Sequence, residues 1–289
     1  KTWDDWSLSA NIGGSINDQR YEMIGHAGNL RDANLFAVHN LDYTTKYKPK
    51  QAGWHDQVQS VFANIEVGWR SMLYLTVTGR NDWDSRLAGS KESSFFYPSV
   101  SASVLLDQAF KIRDRAPWLN MLKVRASWAN VGNDTSPYTL TDAYSASSTY
   151  PGSYTLPSSR ANYYIKPENV ESWEAGIEAK FFMNRLGIDL AFYNSRTTNQ
   201  IVSAITDPVI GSSSKKMNCG EIRNRGIELA LGYSNKWGKF SWDSNFTFSA
   251  NQNRILELVD NYRHPETGQL ITKDRLDVGG LNQAHFILK

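Results

Sequence analysis

KFSWDSNFTFSAN, residues 239–251, alternates apolar and polar side chains with a single interruption. Phe240, Trp242, Phe246, Phe248 and Ala250 fall on one side, where Ser244 is the exception. Ser241, Asp243, Asn245, Thr247, Ser249 and Asn251 fall on the other. Successive side chains of an extended chain point to opposite faces, so this stretch is a strand with one apolar and one polar face. Two architectures satisfy it. In a soluble sandwich the apolar face meets a protein core; in a membrane barrel it meets lipid and the polar face lines the interior.

The same period predicts strands near 5–13, 58–69, 72–81, 95–106, 121–132, 171–182, 186–196, 222–233 and 239–252. Val61, Ile65 and Val67 share one apolar face, Trp173, Ile177 and Phe181 another, and Ile227, Leu229 and Leu231 a third. The opposite faces carry Thr76, Thr78 and Arg80, then Lys123 and Arg125, then Glu174, Glu178 and Glu228. Connection lengths separate the two architectures. Short links ("RS" after Trp69, "MNR" after Phe182, "SNKWG" after Tyr233, and the longer 107–120) alternate with excursions at 14–57, 82–94, 133–170 and 197–221. Long loops gathered at one end of an up-and-down meander belong to an outer-membrane barrel, with short periplasmic turns and long extracellular loops. Strands of roughly 10–12 residues suit a tilted crossing of such a membrane. Trp69, Tyr97, Trp128, Trp173 and Tyr233 sit near strand ends, where interfacial aromatics belong.

Composition is compatible with this reading and narrows the function. The 289 residues are 40% hydrophobic and 12% aromatic, with ten Trp and fourteen Tyr, too aromatic for a disordered chain. No apolar run reaches the roughly 18 residues of a membrane helix. The 31 basic and 29 acidic residues leave a charge of +2, which gives no reason to expect nucleic acid. The lone Cys219 can form no intrachain disulfide and is expected to be inert. The expected chain is 1–289 of a partial, antiparallel, all-β barrel domain lacking a targeting stretch, a segment of something larger.

Five stretches in register resemble one family: "YLTVTGRNDWDS" (74–85), "FFYPSVSASVLL" (95–106), "LKVRASWANVGND" (122–134), "KPENVESWEAGIEAKFFMNRLGIDLAFYNSRTTNQI" (166–201) and "NCGEIRNRGIELAL" (218–231). They look like successive barrel segments of SusC-like (SusC/RagA) TonB-dependent transporters of the Bacteroidetes outer membrane. "WSLSANIGGSI" (6–16) is a weaker echo, and Cys219 departs from the small residue usual there. The resemblance implies a barrel of about 22 strands with a plugged lumen. It implies a plug domain, a TonB box and closing strands that lie outside this chain. It also implies a SusD-like surface lipoprotein, TonB and outer-membrane lipid as partners, an oligosaccharide or peptide as ligand, and energy-driven nutrient import. A passive porin-type barrel and a soluble surface carbohydrate-binding β protein are the alternatives.

No nucleophile, metal or nucleotide motif is present, so no catalytic residue, metal or cofactor is expected. Asp82 and Asp84 of "RNDWDS" read as a polar loop start, with Asn81 and Asp82 serving turn backbone. Glu171 and Glu174 point to opposite faces and make no glycosidase pair. Lys123, Arg125, Glu174, Glu178 and Glu228, with Asp243 and Asn245, are the expected lumen- or plug-facing set, the carboxylates bridging to Lys123 and Arg125 across strands. Arg223 and Arg225 share a face and are expected to reach the same lumen, while Asn218, Gly220, Asn224 and Gly226 suit a kinked return from loop to strand. Among Ser and Thr in 136–167, Tyr138, Tyr144, Tyr150, Tyr154, Tyr163 and Tyr164 are the candidate substrate contacts, aromatic platforms beside hydroxyls.

Overall fold

The computed structural model describes residues 1–44, 48–90, 93–133, 135–146, 152–205, 211–257, 262–263 and 270–271. In chain order the strands are β1 (Thr2–Trp3), β2 (Trp6–Ala27), β3 (Lys48–Trp69), β4 (Leu73–Asp84), β5 (Ser94–Leu105) and β6 (Leu119–Asn133). Short strands β7 (Ser145–Ala146), β8 (Tyr154–Thr155) and β9 (Ser159–Arg160) precede β10 (Glu168–Phe181) and β11 (Leu186–Thr198). Then come β12 (Ile201–Ile205), β13 (Ser214–Asn218), β14 (Glu221–Trp237), β15 (Phe240–Glu257), β16 (Tyr262–Arg263) and β17 (Leu270–Ile271). One ten-stranded antiparallel sheet runs β1-β2-β3-β4-β5-β6-β10-β11-β14-β15, and every long strand neighbours the next in sequence.

Register holds one parity across the whole sheet. Leu8, Val67, Leu75, Ala102, Ala126, Ala175, Phe192, Ile227 and Ala250 are successive direct partners from β2 to β15. This apolar band has no second layer over it among the described residues: Phe246 is 56% and Phe248 51% exposed. A soluble core would cover such side chains; lipid covers them in a barrel. The fold is the wall of a transmembrane β-barrel.

Turns at one end are tight. Arg70 and Ser71 both have positive φ, at 50° and 54°, and the Met72 N–H donates to the Trp69 carbonyl at 2.9 Å, a twist that suits two right-handed strands. The connection after Trp237 is only Gly238–Lys239, with Gly238 at φ 61°. The five-residue link expected after Tyr233 is therefore too long. Residues 234–237 stay in the ladder, Trp237 pairing with Phe240. Between β5 and β6 two short helices, Leu106–Ala109 and Ile112–Arg115, fill the longer link. The buried Asp107 accepts the Leu122 N–H at 3.1 Å and faces Arg113 at 3.2 Å.

The opposite end differs most from expectation. The excursion expected at 14–57 is largely strand, because β2 and β3 stay paired from Trp6↔Trp69 to Ala27↔Lys48. Mixed polar and apolar side chains on both faces hide this extension from a period-two reading, although Tyr21 stacks on Trp54 at 5.9 Å. The remaining loop folds around buried Asn40, whose amide donates to the carbonyls of Asp32 and Leu35, both at 2.8 Å. Leu87, Phe95, Leu140 and Ile165 form a small core joining three other loops, with Tyr97 and Ile201 against it. Tyr97 thus belongs to the loop core, not to the interfacial aromatics.

Face assignment has a direct test. Leu231→Arg, on the apolar face near mid-membrane, is expected to cost about 2–4 kcal/mol, and Thr247→Arg, at the same height on the polar face, about 1 kcal/mol or less. Denaturant unfolding of the full-length protein in lipid measures both; equal costs would reject the assignment.

Candidate functional site

The polar face of the sheet is a ladder of hydroxyls and amides with charges at its middle. Ser9, Glu66, Thr76, Ser101, Ser127 and Glu174 are successive partners in one row. Arg125 stands where β6 meets β10: its Nη1 lies 3.0 Å from Asp189 Oδ1 and its Nε 3.5 Å from Glu174 Oε1. Lys123 Nζ is 3.7 Å from Glu178 Oε2, and Lys180 Nζ is 3.9 Å from the other Glu178 oxygen. The guanidinium needs room, which Gly176 provides: a Cβ there would lie 2.8 Å from Arg125 Cζ. Gly226 does the same for Tyr193, whose ring carbon would sit 2.6 Å from an added Cβ.

Shallow cavities open on this face among the described residues. One of about 290 Å³ is lined by Glu66, Tyr74, Thr76, Lys123, Arg125 and Glu174 among others. A second, about 280 Å³, lies between Arg125, Asp189, Glu228, Thr247 and Ser249. A third, about 340 Å³, is bounded by Glu178, Lys180, Asp189, Asn245 and Thr247. Lys123, Arg125, Glu174, Glu178, Glu228 and Asn245 are therefore brought to one surface. Asp243 shares its parity, opposite Ser234 near the tight turn. Asp189, Tyr74 and Glu66 belong to the same surface; alternation with Ile188, Leu73 and Ile65 already puts them on the polar face, and register brings them beside Arg125 and Glu174. Half-exposed pairs of this kind contribute at most about 1 kcal/mol each to stability, so their effect is a polar, charged wall rather than a clamp.

The tyrosines of 136–167 do not converge. Tyr138, at φ 61°, accepts the His55 N–H on its hydroxyl at 3.2 Å and so braces β3. Tyr144, Tyr154 and Tyr163 are exposed at 64, 69 and 57%, Tyr164 is half-buried, and Tyr150 lies outside the described residues. None of the five described tyrosines lines the cavities above.

Several other expectations change. Asp82 is within β4 and pairs with Arg80 at 2.6 Å, while Asn81 donates to Ser94 Oγ; neither serves a turn. Asp84 is buried, accepts the Arg86 N–H at 2.8 Å and binds the Arg86 guanidinium. Gly220 alone of the 218–226 group takes positive φ, at 81°. Asn218 clamps the loops instead: its side chain accepts the Lys166 N–H at 2.8 Å and donates to the carbonyls of Lys166 and Asn199 at 2.7 and 2.8 Å. Arg223 and Arg225 do share a face, but register puts them with Ile227 and Leu229 on the outward side, away from the lumen.

The family model described as "TonB dependent receptor-like, beta-barrel" matches residues 2–278. TonB-dependent receptor P3 of Formosa agariphila is 24% identical over 252 residues, 83% of this chain and 25% of that protein. Receptor P26 of the same organism is 26% identical over 208 residues, 70% of this chain and 21% of its own length. The chain thus spans about a quarter of these relatives. Among solved structures, the RagAB peptide transporter superposes with a TM-score of 0.76 at 21% identity, covering 93% of this chain and 30% of that one. The outer membrane transporter YddB from Escherichia coli gives 0.58 at 9%, covering 88% and 32%. At these identities the likeness is one of fold.

Cys219 sits beside this loop clamp, where burial and then the Glu257 charge push its thiol up to about 11. The thiolate fraction at neutral pH then falls about 100-fold below that of a free cysteine. Iodoacetamide labelling at pH 7.5 is expected to be slow in the folded protein, to quicken as pH approaches 11, and to become fast on unfolding. Rapid labelling of the folded protein would contradict the burial.

Proposed function

The chain belongs to the TonB dependent receptor-like β-barrel family of the bacterial outer membrane, and on that premise we propose that it is a large part of the barrel wall of an energy-driven nutrient importer. Residues 1–289 act as one partial barrel domain; a plug domain, a TonB box and the closing strands complete a barrel of about 22 strands. The ligand is an oligosaccharide, with a peptide as the second reading because the RagAB likeness is to a peptide transporter. A SusD-like lipoprotein lies over the loop end, and TonB supplies energy through the plug. The chain carries no catalytic role.

The observation that supports this most is the polar wall beneath a folded loop cap. Arg125, Glu174, Asp189 and Glu228 offer both charge signs along one face, with hydroxyls above them. Such a wall gives a hydroxyl-rich or zwitterionic solute many exchangeable partners and no deep well. Tyr144, Tyr154 and Tyr163 provide first contacts at the mouth through exposed rings.

Deletion of the full-length gene should abolish growth on one class of oligosaccharide or peptide as sole nutrient, and loss of TonB should do the same. Restoring the receptor with Arg125→Ala should slow uptake severalfold without removing the protein from the outer membrane. Uptake that persists without TonB or with collapsed proton-motive force would identify a passive pore instead.

A further inference from the structure

On the outward face, just above the apolar band, register lines up arginines. Arg196 is the direct partner of Arg223, and Arg223 of Arg254. Arg225 lies one outward position lower, between Asn194 and Gln252. Directly beneath is the row Phe192, Ile227 and Ala250, and Trp173 flanks Asn194. Like charges set opposite each other on adjacent strands repel, so this row opposes folding unless anions offset it. Glu221 offsets part of it, taking Arg196 through two contacts of 2.6 Å, with Glu171 and Glu257 near that same arginine. Arg225 Nε donates to the neutral Gln252 Oε1 at 2.9 Å, and Arg223 makes no ion pair among the described residues. Among the described residues, two guanidinium groups are thus left without a carboxylate.

Their height identifies the occupant. From Trp237 at the tight turn to Ile227, ten residues at about 3.4 Å each and about 40° of tilt cross roughly 25 Å, the height of the apolar band. Arg225 and Arg223 stand immediately beyond, at the extracellular headgroup level. We propose that Arg223 and Arg225 bind the phosphate of a phosphorylated sugar lipid of the outer leaflet, a lipid A-type headgroup. Its acyl chains would lie along Ile227, Leu229 and Phe248. A planar guanidinium suits a phosphate through paired N–H donors, and the water-poor interface strengthens the pairing. The inference rests on the apolar face meeting lipid.

The test uses the full-length receptor purified from native outer membrane in mild detergent, with retained lipid A counted by native mass spectrometry. Wild type is expected to keep lipid A, and the double variant Arg223→Gln/Arg225→Gln to keep about tenfold less. Lys236→Gln, a charge removed at the other end of β14, should change nothing. Equal retention in the double variant would overturn the proposal. So would displacement by inorganic phosphate as effective as by lipid A vesicles, which would mean a free-anion site. If the double variant fails to assemble, wild type reloaded with lipid A or with dephosphorylated lipid A decides, and equal retention of both rejects the site. A receptor folded in the outer membrane yet free of lipid A would sink this inference alone. Absence from that membrane would sink the importer reading with it.

Discussion

Hydrocarbon offers no hydrogen bonds, so each backbone N–H and C=O crossing it must find its partner in the protein. Strands satisfy that demand only through neighbours, which makes unbroken register the condition for everything else here. Nine long strands keep one parity from Leu8 to Ala250. A one-residue slip anywhere would send Arg125 and Glu174 into lipid and Ile177 into the interior. Tight turns such as Arg70–Ser71 and Gly238–Lys239 set the register, and the apolar band penalises errors in it.

Register also builds the site. Glu178 and Asp189 are direct partners, and Arg125 reaches Asp189 from the far side of β10. The residue in its way is Gly176, where any Cβ would strike the guanidinium. The charged wall is thus a product of strand order together with one missing side chain. The loop end follows different physics: Leu87 and Ile165 are fully buried there, and Asn218 joins three segments through one amide.

The spanning strands were readable because an apolar face and a polar face alternate at the simplest possible period. The face of Arg125 and Glu174 followed from the same count. What escaped the sequence lies where that period fades or where a partner strand decides. Residues 14–27 and 48–57 pair as strands yet show no clean alternation, since water meets both of their sides. Arg223 and Arg225 were placed together correctly but on the wrong face, because counting from the loop ignores that Ile227 fixes their parity. The tyrosines of 136–167 depend on loop packing, which no local pattern records.

The β2–β3 ribbon carries a mechanical consequence. β4 ends at Asp84 opposite Val58, and above that level β3 keeps β2 on one side while its other edge is left by β4. The freed backbone edge of β3 is met first by Ser85, whose hydroxyl accepts the Gln57 N–H at 2.8 Å, and then by Tyr138 at His55. Beyond those two struts β3 runs to Ala27↔Lys48 with no strand on that edge among the described residues. At about 3.4 Å per residue it is a lever on the order of 25 Å long. Such a long arm magnifies angle into distance, so a few degrees of rotation at the Tyr138 strut would move the tip by ångströms. Through those two contacts the loop cap sets the angle of the arm, and a small change at the barrel rim would become a large one out in the medium.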